Sequence, residues 1–134
     1  MTFSRVKSAI TLKLKRDIKA PVDADLEEAL YEALYEIATE CEPSELVVHP
    51  DDLEDDSSVT VLRSIADGYF IKVPEYPDLS ILDREMMIDE ELAYPAIYLA
   101  ITYLIDNEER TAKYSYRAYK TIGAYKANYS KEIS

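Results

Sequence analysis

Apolar residues recur at Phe3, Val6, Ile10, Leu14 and Ile18, spacings of three and four that draw one stripe along a helix with Arg5, Lys7, Lys13, Lys15 and Arg16 outside it. The pattern predicts a basic N-terminal helix within 1–20, and the alternation of Ile10, Leu12 and Leu14 also permits a strand. Pro21 then breaks the chain. Asp25 and Glu28 stand at capping-box spacing, with Asp23 a second capping candidate, so a new helix is expected over 24–41. Its inward face holds Leu26, Leu30, Ala33, Leu34, Ile37 and Cys41, and it would run about 27 Å.

Pro43 and Ser44 end that helix, and the pattern changes. Leu46–Val48, Val59–Leu62 and Tyr69–Val73 are short and rich in β-branched or aromatic residues, bounded by Pro50, the acidic run Asp51–Asp56, Gly68 and Pro74. They predict a small antiparallel β insertion over 46–73, with the last two segments as its hairpin. Beyond Pro74 and Pro77, residues 89–105 are apolar on nearly every side, which predicts a helix covered all round; Pro95 inside it would produce a kink unless the helix begins near Tyr94. Asp106 and Glu109 again have capping-box spacing, ahead of a Tyr-rich basic helix and tail over 107–134. The expectation is one mainly α domain over 1–134: a four-helix bundle with the β insertion between its second and third helices.

In the last helix, Tyr114, Ala118, Ile122, Tyr125 and Tyr129 line one face, while Tyr116, Tyr119 and Lys126 lie elsewhere. One face packs on the preceding helix. The surplus tyrosines with Arg117 and Lys120 have the composition of a contact surface, since Tyr and Arg combine large area with a polar tip.

Charge sharpens this picture because it is sorted. The first twenty residues hold six basic residues against one acid, and Arg110–Ser134 hold six against one, so each end carries +5 and the middle −22 of a net −12. Within that middle, Glu28, Glu32, Glu36 and Glu40 recur every four residues and stack into one acidic stripe whose neighbours repel. A positive surface is expected to meet it, from the basic ends of the same chain or of another copy. The interface candidates are therefore Glu28, Glu32, Glu36, Glu40, Tyr116, Arg117, Tyr119, Lys120, Tyr125, Lys126 and Tyr129.

Composition removes several classes. With 134 residues, 48% of them apolar, the chain suits one core; its two glycines and absent tryptophan argue against a Gly-rich phosphate cradle and against a turn-dense barrel. Cys41, the single cysteine, makes no internal disulfide. No apolar run of secretory type follows the basic start, so synthesis in the cytoplasm is expected. The longest uncharged stretch, Leu92–Ile105, is fourteen residues against the roughly twenty of a membrane span. Net acidity disfavours general or sequence-specific nucleic-acid binding. His49 is the lone histidine, without signalled triad partners, and Cys41 continues an apolar stripe. Asp51, Asp52, Glu54, Asp55 and Asp56 lack the glycine and distal glutamate of an EF-hand. Pairs such as Asp89 with Glu90, or Glu108 with Glu109, sit at helix starts, where the dipole accounts for them. No enzyme, cofactor or metal is expected.

Taken in order, the elements resemble the head–tail adaptor (connector, or head-completion) proteins of tailed bacteriophages. The resemblance lies in Asp23, Asp25, Leu26, Ala29, Leu30, Ala33, Leu34, Glu36, Ile37 and Ala38, in Tyr69–Leu82, the segment in which the β insertion ends, and in two closing helices rich in Tyr and Ala. Val22 stands where an aromatic often precedes the Asp, and Tyr31 where Asn is frequent. The resemblance implies a virion protein that is not an enzyme: a ring of copies, typically twelve, beneath the portal protein, with the C-terminal segment reaching into the portal and the other side receiving the tail or a stopper. The alternative is a small acidic helical binding module, of inhibitor or antitoxin type, masking a basic partner.

Overall fold

The computed structural model describes residues 1–15, 18–55 and 59–133, and the side chains among them except at 53–55 and 129–133. Arg16, Asp17, Asp56 and Ser134, and the side chain of the interface candidate Tyr129, lie outside the described residues. Five helices form, α1 (Phe3–Leu14), α2 (Asp23–Glu40), α3 (Pro50–Asp55), α4 (Glu90–Leu104) and α5 (Glu108–Ile133), with strands β1 (Val47–Val48), β2 (Val61–Ser64) and β3 (Phe70–Lys72). The fold is mainly α with a three-stranded antiparallel insertion between α2 and α4.

The first helix is real but shorter than its stripe. Phe3, Val6, Ile10 and Leu14 are buried, while Ile18 falls beyond the helix and is exposed. Leu12, 72% exposed, points away from the core, which removes the strand alternative. The Thr2 hydroxyl accepts from the Arg5 N–H at 3.3 Å and caps the start. Alongside, Phe3 N–H donates to Arg84 O at 2.9 Å and Ser4 N–H to Leu82 O at 2.8 Å, which anchors the 73–89 connection to the beginning of α1.

α2 buries Leu26, Ala29, Leu30, Ala33, Leu34, Ile37 and Ala38, and Cys41 just past its end. The expected capping box at Asp25 and Glu28 is not formed: the cap position is Val22, with no side-chain bond. The carboxylates are drawn to tertiary partners instead, Asp23 to Lys7 at 2.9 Å, Glu27 to the Leu79 N–H at 2.9 Å, and Glu28 to the Tyr76 hydroxyl. At the head of α5, Asn107 displaces the expected Asp106 box, its Oδ1 accepting from the Arg110 N–H at 3.1 Å.

In the insertion β3 lies between β1 and β2. Val47 pairs with Ile71, Ser64 with Phe70, and a bulge separates Val61 from Arg63. β3 falls within the expected Tyr69–Val73, while β2 lies two residues beyond the expected Val59–Leu62, because Asp67 (φ 62°) and Gly68 (φ 79°) supply the left-handed turn that fixes the hairpin register. The first part of the acidic run is helical, not loop, since Pro50 at the first position and Asp51 and Asp52 in the first turn favour a helix start. Arg63 ties the insertion to the bundle: Nε donates to Ala38 O at 3.0 Å and Nη2 to Cys41 O at 2.5 Å, answering carbonyls at the end of α2.

α4 is the centre. It begins at Glu90, so Pro95 lies inside it and withholds a donor from the preceding turn, yet the helix continues to Leu104. Leu92, Ala93, Ala96, Ile97, Leu99, Ala100 and Ile101 are buried against α5, α2 and α1. Replacing Arg63 by Met, which keeps the stem and removes the donors, is expected to lower stability by about 1.5–3 kcal/mol, the range for hydrogen bonds to a charged group. Urea denaturation checks it.

Candidate functional site

α2 carries its four stripe glutamates outside its buried face, and of these Glu36 is the one reached from α4 and α5. Glu28, Glu32 and Glu40 are exposed and Glu36 half-buried. The partners found there are phenols. Tyr76 donates its hydroxyl to Glu28 Oε2 at 2.9 Å. Glu36 receives two, the Tyr103 hydroxyl from the end of α4 on Oε2 and the Tyr119 hydroxyl from α5 on Oε1. One carboxylate thus clasps three helices together.

Among the described residues, Lys7 pairs with Asp23 and Arg84 with Glu75 at 3.2 Å, and neither pair involves the stripe. Within the described part of the subunit the stripe is met by phenols, Tyr119 among them from the basic C-terminal helix, and by no basic side chain. The reason is geometric: packing on α4 brings Tyr103 and Tyr119 alongside α2. Neutral hydroxyls satisfy carboxylate lone pairs without cancelling charge, so the stripe remains negative. Burial, followed by the bond to Glu36, raises the hydroxyl pKa of Tyr103 and of Tyr119 above the ordinary tyrosine value, which keeps both as donors.

α5 divides its tyrosines as its period requires. Tyr114, Ala118, Ile122 and Tyr125 are buried. Tyr114 stacks on Tyr98 of α4 at 5.7 Å between ring centroids, and Arg110 lies over the Tyr114 ring. Tyr125 is 3% exposed and belongs to the core, so it is not a surface contact of this subunit. Tyr116 is 68% exposed, beside exposed Arg117 and Lys120, with Lys126 exposed further along. Tyr119, 39% exposed, is shared between the Glu36 clasp and solvent.

One residue gains a role the sequence concealed. Asp89 does not cap α4 with its side chain. Its carboxylate accepts from the Ser44 N–H at 3.0 Å and the Glu45 N–H at 2.9 Å, and from the Tyr125 hydroxyl, joining the single turn Ser44–Leu46 to the head of α4 and the far part of α5. Ser44 and Glu45 are 45 and 44 residues away, so no local spacing signals the contact.

Nucleophile and ligand chemistry finds no assembly. The Cys41 thiol is buried with Sγ 3.5 Å from Ile37 O, and burial, with the Asp89 charge next, pushes its pKa from 9.0 up to about 12. His49 accepts the Asp51 N–H at Nδ1 and lies edge-on to Tyr69. Among the described residues no three His, Cys, Asp or Glu side chains gather as a metal site, and no helix is long and apolar enough to cross a membrane.

Compared with known proteins, the chain matches no family model, no curated protein and no solved structure.

Two outcomes follow from this geometry. Glu36→Ala leaves two phenols without their acceptor and is expected to cost about 1–2 kcal/mol, whereas Glu36→Gln, which still accepts, costs less; chemical denaturation of both separates them. The thiol and the phenols have native pKa values raised above their unfolded ones, so their contribution to stability is full below pH 9 and is lost as pH rises through the native values. Denaturation midpoints should hold from pH 7 to 8.5 and fall above pH 9, and a thiol reagent at pH 8 should label Cys41 only in unfolded protein.

Proposed function

We propose that this chain is a structural adaptor of the head–tail type, assembling as a ring, typically of twelve copies, beneath a portal protein and presenting its other side to a tail or stopper protein in a bacteriophage virion. The proposal is of a binding and assembly role, with no catalysis and no cofactor. Its first support is the order of elements: a short first helix, the α2 sequence, a β insertion leading into Tyr69–Leu82, and two closing helices.

The observation that carries it is the outer face of α5. A 26-residue helix runs about 39 Å, while its packing partner α4, with 15 residues, runs about 22 Å. Beyond Tyr125 the side chains of Lys126, Ala127 and Asn128 are exposed. Nearer the middle of the helix, on the side turned away from α4, Tyr116, Arg117 and Lys120 stand exposed, residue types suited to a desolvated contact with an acidic rim. Sorted charge also suits a ring, in which one face of each copy meets a different face of the next.

The test uses the exposed residues and leaves the core intact. Tyr116→Ala with Arg117→Glu should keep the helical circular dichroism and the denaturation midpoint, and should lower affinity for assembled portal rings by about tenfold or more, as expected when an aromatic anchor and a charge are both lost. Undiminished binding would move the docking surface elsewhere. One-to-one capture of a basic partner, with no portal binding by the parent, would replace this reading with an acidic masking module.

A further inference from the structure

Two open grooves flank the connection between α1 and α2. The first, about 670 Å³, runs along the outer side of α1 and carries Lys7, Lys15 and Lys19 around Leu12 and Ile18. The second, about 510 Å³, lies between α2 and the end of α4, shares Ile18 with the first as a common wall, and carries Asp25, Glu28 and Glu32 beside Leu104 and Tyr103. Each thus combines three charges of one sign with apolar wall. Leu12 is 72% exposed, Ile18 37% and Tyr103 47%, so the apolar parts are open to solvent as well.

Within one subunit these charges scarcely meet. Lys7 reaches Asp23, outside the acidic groove, and among the described residues Lys15, Lys19, Asp25 and Glu32 form no ion pair. Glu28 takes only the Tyr76 hydroxyl. Among the described residues, both halves of a complementary pair are therefore present on every copy and not paired with each other within it.

We infer that copies of this chain join head to tail, with the basic groove side of α1 in one copy seated on the acidic groove between α2 and α4 of the next. Leu12 then covers Leu104 and the exposed Tyr103 ring, and Lys15 and Lys19 face Asp25 and Glu32. Opposite charges at the rim steer the encounter and set its register, while the apolar centres lose water. The contact is heterologous, so each copy keeps one unfilled groove of each kind until a ring closes. This deepens the adaptor reading by naming the subunit joint, and it rests on that reading only for closure; the joint itself needs two copies and nothing else.

Sedimentation velocity on the full chain, across protein concentration and salt, tests it. The parent should self-associate at low salt and dissociate as salt rises. Lys15→Glu with Lys19→Glu makes both grooves negative, and Asp25→Lys with Glu32→Lys makes both positive. Each variant alone should remain monomeric, with self-association weakened by about tenfold or more as opposing charges become like ones. Mixed one to one, they should associate again, because each positive groove now finds a negative one; this recovery also proves both variants folded. Self-association of either variant alone at the parent's strength, a mixture that stays monomeric, or a parent that is monomeric at every salt would each overturn the joint. Portal binding is measured separately, so recovery in the mixture without portal binding would retain the joint and remove the adaptor reading.

Discussion

A helix with so little polar surface has to be buried along most of its girth, and α4 is such a helix, with Tyr94, Tyr98, Thr102 and Tyr103 forming the strip that the neighbouring elements leave uncovered or half-covered. Its charges are confined to Glu90 and Glu91 in the first turn, and from Leu92 to Ile101 nearly every side chain is withdrawn from water. Each fully buried Leu or Ile in such a setting contributes about 1.5–3 kcal/mol relative to exposure, far more than any surface pair in the molecule. The covering elements follow from this requirement. α2 supplies Leu26, Leu30, Ala33, Leu34 and Ile37, α5 supplies Tyr114, Ala118 and Ile122, and α1 supplies Val6, Ile10 and Leu14.

Once α2 and α5 are both laid on α4, the polar margins have little choice. Glu36 comes within reach of Tyr103 and Tyr119, and Asp89 within reach of Tyr125 and the Ser44 turn. These contacts use phenols as donors, which satisfy carboxylates at modest desolvation cost and leave their charge intact. A lysine in the same place would have neutralised Glu36 and removed its share of the surface field. The arrangement therefore stabilises the bundle and preserves a strongly negative face at once. The insertion is held by a similar economy, with Arg63 answering carbonyls at the end of α2 that the helix itself leaves open.

The proposed roles divide the surface between two kinds of contact. Along α5, the exposed Tyr and Arg side chains offer area and polarity to a different protein; around the α1–α2 connection, the two grooves offer matched charge to another copy. Neither draws on the buried residues of the bundle, so docking and self-association can vary without changing the core that supports both.

The order of elements was legible from residue spacing because burial imposes a period: the stripe of α2 and the all-apolar run of α4 leave only one helical solution each. The short strands were legible from their β-branched residues, though their register was set by the Asp67–Gly68 turn. Charge sorting was likewise present in the sequence alone. Capping was not. The carboxylates at Asp25 and Glu28 had the right spacing for a local bond, but Glu28 and its neighbours Asp23 and Glu27 were claimed by groups from α1 and from the 73–89 connection. The partners of the acidic stripe were equally hidden, since Tyr103 and Tyr119 lie 67 and 83 residues from Glu36 and meet it only through packing. Local period decides which residues share a face; only the docking of helices decides which face is buried, and so why Tyr125 closes the core while Tyr116, nine residues earlier on the same helix, stands in solvent.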